Sequence, residues 1–388
     1  MTEVAIVQTH LSGRAAGEAL GHQIRAQIAG PPDALIVFAT PKSDHSALLE
    51  ALAETTGTRT IVGCSSAGEF TSDGAGQGLT NVTAIRASSM RFTASVGTGI
   101  SHDYARAAHE LVGRFNAEML PEFPFRVALV LVDALAGHAE ELVDAMTLAT
   151  GGTYRFFGGG AGDDAAFQRT QVFCGTQVYD DAAVALEIVS QKPVGIGARH
   201  GWTAASPPLR VTQSDAAHVV SLNAAPAVEA FEDHAEGSAQ RFDRADPMPF
   251  FLHNIVGVET SGGYKLRVPL GIAEDGAIVC AAEVPAGATA RIMSTSGACA
   301  ADAAADATRD AMAQVTREGG SPKAALFFDC VATRLRLGQA FDQELDAVSA
   351  ELGGLPFAGF NSHGQIVRSE GQFSGFHNCT AVVCVLPE

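Results

Sequence analysis

The sequence lacks any concentration of positive charge. Its 25 Lys and Arg residues are scattered among 43 Asp and Glu residues, and the net charge is -18. Proteins that bind nucleic acids or anionic membranes cluster their cations, because each contact neutralises a phosphate group. The charge balance therefore argues against a nucleic-acid partner and against binding to an anionic membrane.

Long apolar runs are missing as well. No stretch approaches the ~18 uncharged apolar residues that a membrane-spanning helix needs. The first residues, MTEVAIVQTHLSG, do not combine a basic segment with an apolar one, as a secretory signal would. We expect no membrane insertion and a cytoplasmic location.

Cysteine and histidine motifs for metals are also absent. The seven cysteines include no C-x-x-C pair, and their number is odd, which favours neither a disulfide framework nor a zinc site. Most of these thiols are expected to be buried in apolar strands. The histidines form no H-E-x-x-H or C-x-x-C-H motif, so neither a zinc protease nor covalently attached haem is indicated.

What the sequence does contain is a repeat. The apolar runs ALIVFAT, VALVLVD and AALFFDC each lead into a helical pattern and then a second strand-like run. Each unit ends in a loop that begins at Gly63, Gly158 or Gly359. In the third unit an apolar helical stripe comprises Phe341, Leu345, Val348 and Leu352.

These patterns predict an α/β fold with mixed sheets, built from repeated β-α-β-loop-β modules. The chain of 388 residues, 47% of them hydrophobic, is long enough for two domains. We expect one α/β half at residues 1–222, with two modules, and a second at residues 223–388. The second half would contain a strand meander followed by the third module.

The three loops are the candidate binding site. They read GCSSAGEF at residues 63–70, GGGAGDD at residues 158–164 and GFNSHGQI at residues 359–366. Ligands in α/β sheets bind beyond the carboxyl ends of strands, so these loops are expected to line a cleft. The predicted ligand-binding residues are Gly63, Cys64, Ser65, Ser66, Gly68, Glu69, Gly158, Gly159, Gly160, Asp163, Gly359, Asn361, Ser362, His363 and Gln365.

Two catalytic or nucleotide-binding interpretations are weaker. The glycine cluster is not followed by the Lys-Ser/Thr pair of a phosphate loop. The serine loops miss the G-x-S-x-G spacing of a nucleophile elbow by one residue, and no base is placed beside a serine except His363. We predict no catalytic residue, although a hydrolase using these serines stays as an alternative.

Together with ARHGW and FHNCT, the three loops resemble the FIST family, intracellular sensory proteins with an N-terminal and a C-terminal FIST domain. The resemblance runs from about residue 30 to the end of the chain. The sequence departs from the family pattern at three places. Gln365 stands where Glu is usual, and His363 stands where an aromatic residue is frequent. The segment FDCVATR stands where FDC-x-G-R is more usual.

The resemblance implies a non-catalytic sensor that regulates a partner protein. Stand-alone members of this length resemble the NosP type, which binds haem, senses nitric oxide and acts on a histidine kinase. The resemblance to this type implies that haem b is bound without covalent attachment, that its axial ligand is His377, His363 or His200, and that no other metal is bound. The partner would be a histidine kinase, a diguanylate cyclase or a phosphodiesterase, and a homodimer is also considered. The alternative is a sensor for an amino acid or another small metabolite.

Overall fold

A computed structural model describes residues 2–296, 298–369 and 374–388. It confirms a mixed α/β fold and shows three modules with the same element order, which is strand, helix, strand, helix, strand, hairpin and strand. Compared with the predicted modules, each has an additional strand and helix at its beginning. The elements of the first module are β1 (Thr2–Thr9), α1 (Gly13–Gln27), β2 (Ala34–Ala39), α2 (His45–Thr56), β3 (Ile61–Ser65), the hairpin β4 (Glu69–Thr71) and β5 (Gly74–Gly76), and β6 (Thr80–Ala87).

The second module repeats this order without interruption. Its elements are β7 (Met90–Thr98), α3 (Ile100–Val112), β8 (Phe125–Val132), α4 (Ala139–Ala149), β9 (Arg155–Gly160), the hairpin β10 (Val172–Cys174) and β11 (Gln177–Tyr179), and β12 (Ala182–Ser190).

The third module is divided by an insertion after its first strand, β13 (Gly195–Arg199). The insertion contains the predicted meander and two helices. They are β14 (Thr203–Ala204), β15 (Leu209–Asp215), β16 (His218–Leu222), β17 (Ala225–Pro226), α5 (Ala227–Gly237), α6 (Met248–Phe251), β18 (Asn254–Thr260), β19 (Gly263–Arg267), β20 (Pro269–Ile272), β21 (Ile278–Cys280) and β22 (Thr289–Ser294).

The rest of the third module follows the common order. It comprises α7 (Ala298–Arg317), β23 (Pro322–Cys330), α8 (Val331–Leu337), α9 (Asp342–Leu352), β24 (Phe357–Ser362), the hairpin β25 (Gln365–Arg368) and β26 (Ser374–His377), and β27 (Ala381–Pro387). The four residues of the predicted apolar stripe in this module are all buried, and they are Phe341, Leu345, Val348 and Leu352.

The modules exchange their hairpins. The first sheet has the strand order β1-β6-β2-β3-β10-β11, so the second module's hairpin completes it. The second sheet is β7-β12-β8-β9-β25-β26 and ends in the third module's hairpin, while the third sheet, β13-β27-β23-β24-β4-β5, ends in the first module's hairpin. Strands from both sides of residue 222 therefore share the second and third sheets.

The exchange closes the three sheets around one apolar core. Phe38, Phe157, Phe328 and Phe360 contribute to it from all three sheets, and the rings of Phe38 and Phe360 lie 4.5 Å apart. Helices cover the outer faces, which is why strands such as β2, with the sequence ALIVFA, are apolar and buried at every position. The insertion packs around a core of its own.

The loop predictions need one correction. Gly63 to Ser65, Gly158 to Gly160 and Gly359 to Ser362 are the last residues of β3, β9 and β24, so they belong to strands and not to loops. The turns proper begin after them. The parallel partner strand extends to the same point in each module, and its hydrogen bonds hold these residues in the sheet.

Candidate functional site

The turns that follow β3, β9 and β24 meet at one place. We call the meeting point the junction, and it comprises the three turns with the strand residues next to them, at residues 66–69, 161–164 and 361–365. The first and third turns exchange two backbone hydrogen bonds, from Ala67 N to the oxygen of Asn361 (2.9 Å) and from Asn361 N to the oxygen of Gly68 (2.8 Å). Gly162 N donates to the oxygen of Ser65 (2.8 Å), which joins the second turn to the first.

The second and third turns are joined in the same way. His363 N donates to the oxygen of Gly160 (3.1 Å), and Gly160 N donates to the oxygen of Gly364 (2.8 Å). Every pair of turns is thus connected directly through the backbone. The junction is a three-way contact in which the predicted residues are packed against one another and almost entirely buried.

The first glycine of each motif has a structural role. A Cβ atom at Gly63, Gly158 or Gly359 would lie 2.2 Å or less from a carbonyl oxygen of the adjacent parallel strand, which no side chain tolerates. Each glycine occupies the same register position opposite that oxygen. The oxygens belong to Val37 (2.2 Å), Val130 (2.0 Å) and Phe327 (1.8 Å).

The serines of the first and third motifs have equivalent bonds. The hydroxyl of Ser66 donates to the backbone oxygen of Ala39 (3.1 Å), and that of Ser362 donates to the oxygen of Asp329 (3.1 Å). In both cases the oxygen belongs to a residue of the adjacent parallel strand. Among the described residues, the hydrogen bonds of these hydroxyls include no histidine, so the arrangement of a serine nucleophile and its base is not formed.

The residue three positions after each serine completes the pattern. Gln365 donates from Nε2 to Ser362 Oγ (2.8 Å), and its Oε1 accepts from Thr380 N (3.1 Å). Glu69 occupies the same place in the first motif, where its Oε1 bonds to Ser66 and its Oε2 accepts from Leu79 N (3.2 Å). The position shared by Glu and Gln therefore links a serine to the start of the module's last strand.

Glu69 is a buried carboxyl group with a raised pKa. Burial raises its pKa from 4.5 to about 7. The Ser66 hydroxyl has one proton, so a bond to Glu69 that is made at the same time as the bond to Ala39 would take its proton from a protonated Glu69 carboxyl group. A protonated Glu69 has the same donor and acceptor positions as Gln365, which explains how Glu and Gln occupy equivalent sites.

The remaining predicted residues of the first turn are also structural. Ser65 Oγ accepts from Gln171 N (3.0 Å). Cys64 is fully buried in the central core, and burial raises the pKa of its thiol. Gly68 has a φ of 135° and lies against Asn361 and Arg334, so a side chain there would be strained and would collide with both.

Asp163 organises the segment that follows the second turn. Its carboxylate accepts backbone N–H bonds from Phe167 (2.9 Å), Gln168 (2.6 Å) and Arg169 (2.9 Å). The segment is conformationally unusual, because Asp164, Ala165 and Phe167 all have φ between 52° and 64°. Non-glycine residues in this region are uncommon and are found at functional sites.

His363 lies beneath this segment. The Phe167 ring stacks on the imidazole at a centroid distance of 4.5 Å, and Phe167 itself is 41% exposed although it is apolar. The His363 side chain is 2% exposed, with Nε2 lying 3.5 Å from Asp163 Oδ1. Neither ring nitrogen has a hydrogen bond to a described residue. Burial lowers the pKa of His363 to about 4, so the ring is neutral.

Other buried polar atoms at the junction also lack partners among the described residues. They are Asn361 Nδ2, Asp164 Oδ1 and Arg334 Nε. Arg334 and Phe167 were not among the predicted residues, and Asp164 was included only as the last residue of the second loop. Arg334 lies on α8, well before the third turn in the chain, and nothing in the sequence linked it to Gly68. Buried polar atoms in native proteins are normally paired, so an unpaired group calls for a bound water or ligand.

The other two histidine candidates lie at different places. His377 is paired in register with Gln365 across β25 and β26 and is 1% exposed. Burial, with Arg267 and Lys265 nearby, lowers its pKa well below the usual value. His200 lines a cavity of about 10 Å³ together with Trp202 and Arg336.

These histidines do not fit a haem group as the chain is packed here. A cavity of about 10 Å³ beside His200 holds roughly one water molecule. His363 is covered by Phe167, and His377, on the edge strand β26, has almost no exposed surface. A porphyrin would have to displace these neighbours before any of the three side chains reached the iron.

Two further observations concern membranes and metals. Among the described residues, no helix has the length and apolar composition that crossing a membrane requires. Away from the junction, His138, Glu141 and Glu283 bring three possible metal-ligand atoms within 4.8 Å of one another. The expectation that no metal other than haem iron is bound stays a prediction.

Comparison with known proteins identifies the family. The FIST N domain matches residues 33–225 and the FIST C domain matches residues 227–368. The chain therefore belongs to the FIST family. FIST domains are sensory domains of signal transduction that bind small ligands.

Other comparisons add little. A search among curated proteins finds no match to this chain. Among solved structures, it is similar to the cyanuric acid hydrolase from A. caulinodans, with 8% identity, a TM-score of 0.34 and coverage of 100% of both chains. It is also similar to T. maritima PurL complexed with FGAR, with 13% identity, a TM-score of 0.24 and coverage of 100% of this chain and 73% of that one. Neither likeness is close enough to support an argument.

Proposed function

We propose that this protein senses a small polar metabolite of the amino-acid type, bound at the junction beneath the Phe167 segment. The observation that carries the proposal is the set of unpaired polar atoms on Asn361, His363, Asp164 and Arg334. A buried polar group without a partner costs about 1–3 kcal/mol, so a ligand that pairs with several of them gains affinity.

The charges suit a zwitterion. Arg334 makes no ion pair within 4 Å in the described part of the chain, and burial lowers its pKa, an effect that the nearby Asp164 carboxylate partly offsets. A guanidinium group binds a carboxylate through two parallel hydrogen bonds. Asp164, whose other oxygen pairs with the exposed Lys42 at 3.3 Å, offers Oδ1 to an ammonium group.

The Phe167 segment provides a way to signal. Ligand binding shifts a conformational equilibrium only when it favours one of two states. Displacing the Phe167 ring would uncover His363 and change the backbone conformation at three residues with positive φ. A kinase, a diguanylate cyclase or a phosphodiesterase in the cytoplasm would be the partner that reads the change, either from a monomer or from a homodimer.

A haem-based nitric oxide sensor is the second candidate. Its support is the pair of unbonded nitrogens on His363, which make this residue the best axial ligand of the three. Haem b would supply the iron that binds nitric oxide, and the chain would hold it through the imidazole and apolar contacts. The packing of Phe167 on His363 opposes this interpretation unless the segment moves.

Calorimetric titration with the common amino acids tests the first candidate. Binding should weaken about tenfold or more in Arg334→Gln and in Asp164→Asn, because each removes a charge-assisted hydrogen bond. Arg241→Gln, which replaces an exposed arginine of the insertion, is the matched control and should bind like the unchanged protein. Equal affinity in all four proteins would refute the site, and absence of binding by every amino acid would refute the ligand class.

The absorption spectrum after reconstitution with haem tests the second candidate. A Soret band that is lost in His363→Ala supports it, whereas absence of a band refutes it. A band that survives separate substitutions of His363, His377 and His200 by Ala would refute the choice of axial ligand.

A further inference from the structure

A second candidate site lies where the first turn of α4 meets the insertion. His138 precedes α4 and Glu141 lies in its first turn, whereas Glu283 follows β21 of the insertion. All three residues line a cavity of about 230 Å³. Each offers one atom of a type that binds metal ions, and these three atoms lie within 4.8 Å of one another. We call these three residues the His-Glu cluster.

The spacing within the His-Glu cluster fits ligands of one metal ion better than it fits hydrogen bonds. His138 Nδ1 lies 3.7 Å from Glu141 Oε1 and 3.9 Å from Glu283 Oε1. A hydrogen bond from nitrogen to oxygen would be about 2.7–3.2 Å long. Two ligand atoms at about 2.1 Å from a tetrahedral zinc ion lie about 3.4 Å apart, so side-chain movements of about 1 Å or less would bring all three atoms to that spacing.

Two atoms of the cluster are buried without a hydrogen bond to a described residue. They are His138 Nδ1 and Glu141 Oε2. Buried polar atoms are normally paired, so a bare imidazole nitrogen beside two carboxylates calls for a bound group. The side chains themselves are 39% exposed at His138 and 29% exposed at Glu141, so an ion can reach these atoms from solvent.

The contact between α4 and the insertion contains carboxylates in two different settings. Glu140 pairs with Lys265 of the insertion and, at 3.4 Å, with Arg267. In the same helical turn, Glu141 meets a second carboxylate, Glu283. An acidic first turn suits the helix dipole, but the dipole does not explain an acid brought there from the insertion. A cation shared by the two carboxylates would make this part of the contact favourable as well.

Neighbouring residues hold the ligands of the cluster in place. The Tyr104 ring lies against the His138 imidazole, with the ring centroids 5.4 Å apart. Arg267 donates from Nε to the backbone oxygen of Glu283 (2.8 Å), and the same guanidinium group pairs with Glu140. Contacts of this kind orient metal ligands before the ion arrives, so less conformational entropy is lost on binding.

We propose that the His-Glu cluster binds a divalent transition-metal ion of the zinc type. One imidazole nitrogen and two carboxylate oxygens form a donor set that such ions accept, whereas Mg²⁺ and Ca²⁺ prefer oxygen ligands alone. Three protein ligands leave a position that a water molecule in the cavity would fill. This inference departs from the sequence-based expectation that no metal other than haem iron is bound.

A bound ion would tie the insertion to the second module. Glu283 belongs to the insertion, whereas His138 and Glu141 belong to the second module, and the two segments are far apart in the sequence. The three ligands converge only in the folded chain, so the ion would stabilise the folded state. The inference does not depend on the proposed function of the junction.

Calorimetric titration of the metal-depleted full chain with Zn²⁺, in a protein without an added histidine tag, tests the inference. We expect one ion to bind at the cluster, with an affinity that falls about tenfold or more in His138→Asn and in Glu283→Gln, because each removes one of three ligands. Asn is chosen because it tolerates the φ of 56° at His138. His10→Asn and Glu274→Gln replace exposed residues, and these matched controls should bind Zn²⁺ like the unchanged protein.

Thermal melting provides a second measurement and checks that each variant is folded without metal. Zn²⁺ should raise the melting temperature of the unchanged protein and of both controls, and the rise should be lost in His138→Asn. Three results would overturn the inference. Absence of Zn²⁺ binding at submillimolar concentration would assign the cluster to a protonated His138 between two carboxylates. Equal affinities in the cluster variants and the controls would place the ion elsewhere, and Mg²⁺ binding as tight as that of Zn²⁺ would refute the class of metal.

Discussion

Replacing Glu69 by Gln should make the protein less sensitive to alkaline pH. Burial raises the pKa of Glu69 from 4.5 to about 7, so the folded state binds a proton that the unfolded state has already released between these values. The contribution of Glu69 to the free energy of unfolding is therefore fully present below pH 4.5 and is lost as the pH rises through about 7. The difference between the two pKa values corresponds to ~3 kcal/mol of unfolding free energy.

The amide in the Glu69→Gln variant would keep the hydrogen bonds without needing the proton. Gln365 already makes the equivalent bonds to Ser362 and Thr380, so the local structure accepts the amide. We expect Glu69→Gln to change the free energy of unfolding little at pH 5 and to increase it by up to ~3 kcal/mol at pH 8, relative to the unchanged protein. Comparing the two proteins at each pH cancels the titration of all other groups.

Urea unfolding at pH 5, 6, 7 and 8 measures the effect, and Gln365→Glu is the matched control. It places an acid at the equivalent buried position, so its stability relative to the unchanged protein should fall as the pH rises. A difference between Glu69→Gln and the unchanged protein that stays constant from pH 5 to pH 8 would show that Glu69 is ionised in the folded state. The reasoning about a neutral acid would then be wrong.

Two further predictions concern the motif glycines and the cover over His363. Gly359→Ala should lower the free energy of unfolding, measured by urea titration, by ~3 kcal/mol or more, because its Cβ would lie 1.8 Å from the Phe327 oxygen. Gly271→Ala is the control, and it should change the free energy of unfolding very little, because no atom lies near the added Cβ. Phe167→Ala should speed modification of His363 by diethyl pyrocarbonate, followed by mass spectrometry, because the stacked ring is removed. An unchanged rate, with the protein still folded by circular dichroism, would contradict the role of Phe167 as a cover.

The repeated pattern could be recognised in the sequence because it is local. Continuous apolar strands, helical stripes and a glycine at a fixed distance each depend on a few neighbouring residues, and the mixed α/β fold followed from them. The same locality explains the error at the strand ends. Gly63 and Gly158 look like loop residues in isolation, and only the partner strand beside them, at Val37 and Val130, shows why a glycine extends the sheet.

The family could also be recognised, because its motifs occur in order along the chain, and the matches to the FIST N and FIST C domains confirm that prediction. The groups that are proposed to select a ligand could not be recognised in the sequence. They include Arg334 and Phe167, which come from separate segments and carry no shared pattern.

The sequence by itself determined the modules, their glycines and the spacing that places Glu69 after Ser66 and Gln365 after Ser362, since each of these is a short-range relation. Only the tertiary structure decided that the modules exchange hairpins, that the three turns meet and that Glu69 is buried with a raised pKa. The physical reason is that burial and charge at a site are set by residues far apart in the chain, which no local pattern specifies.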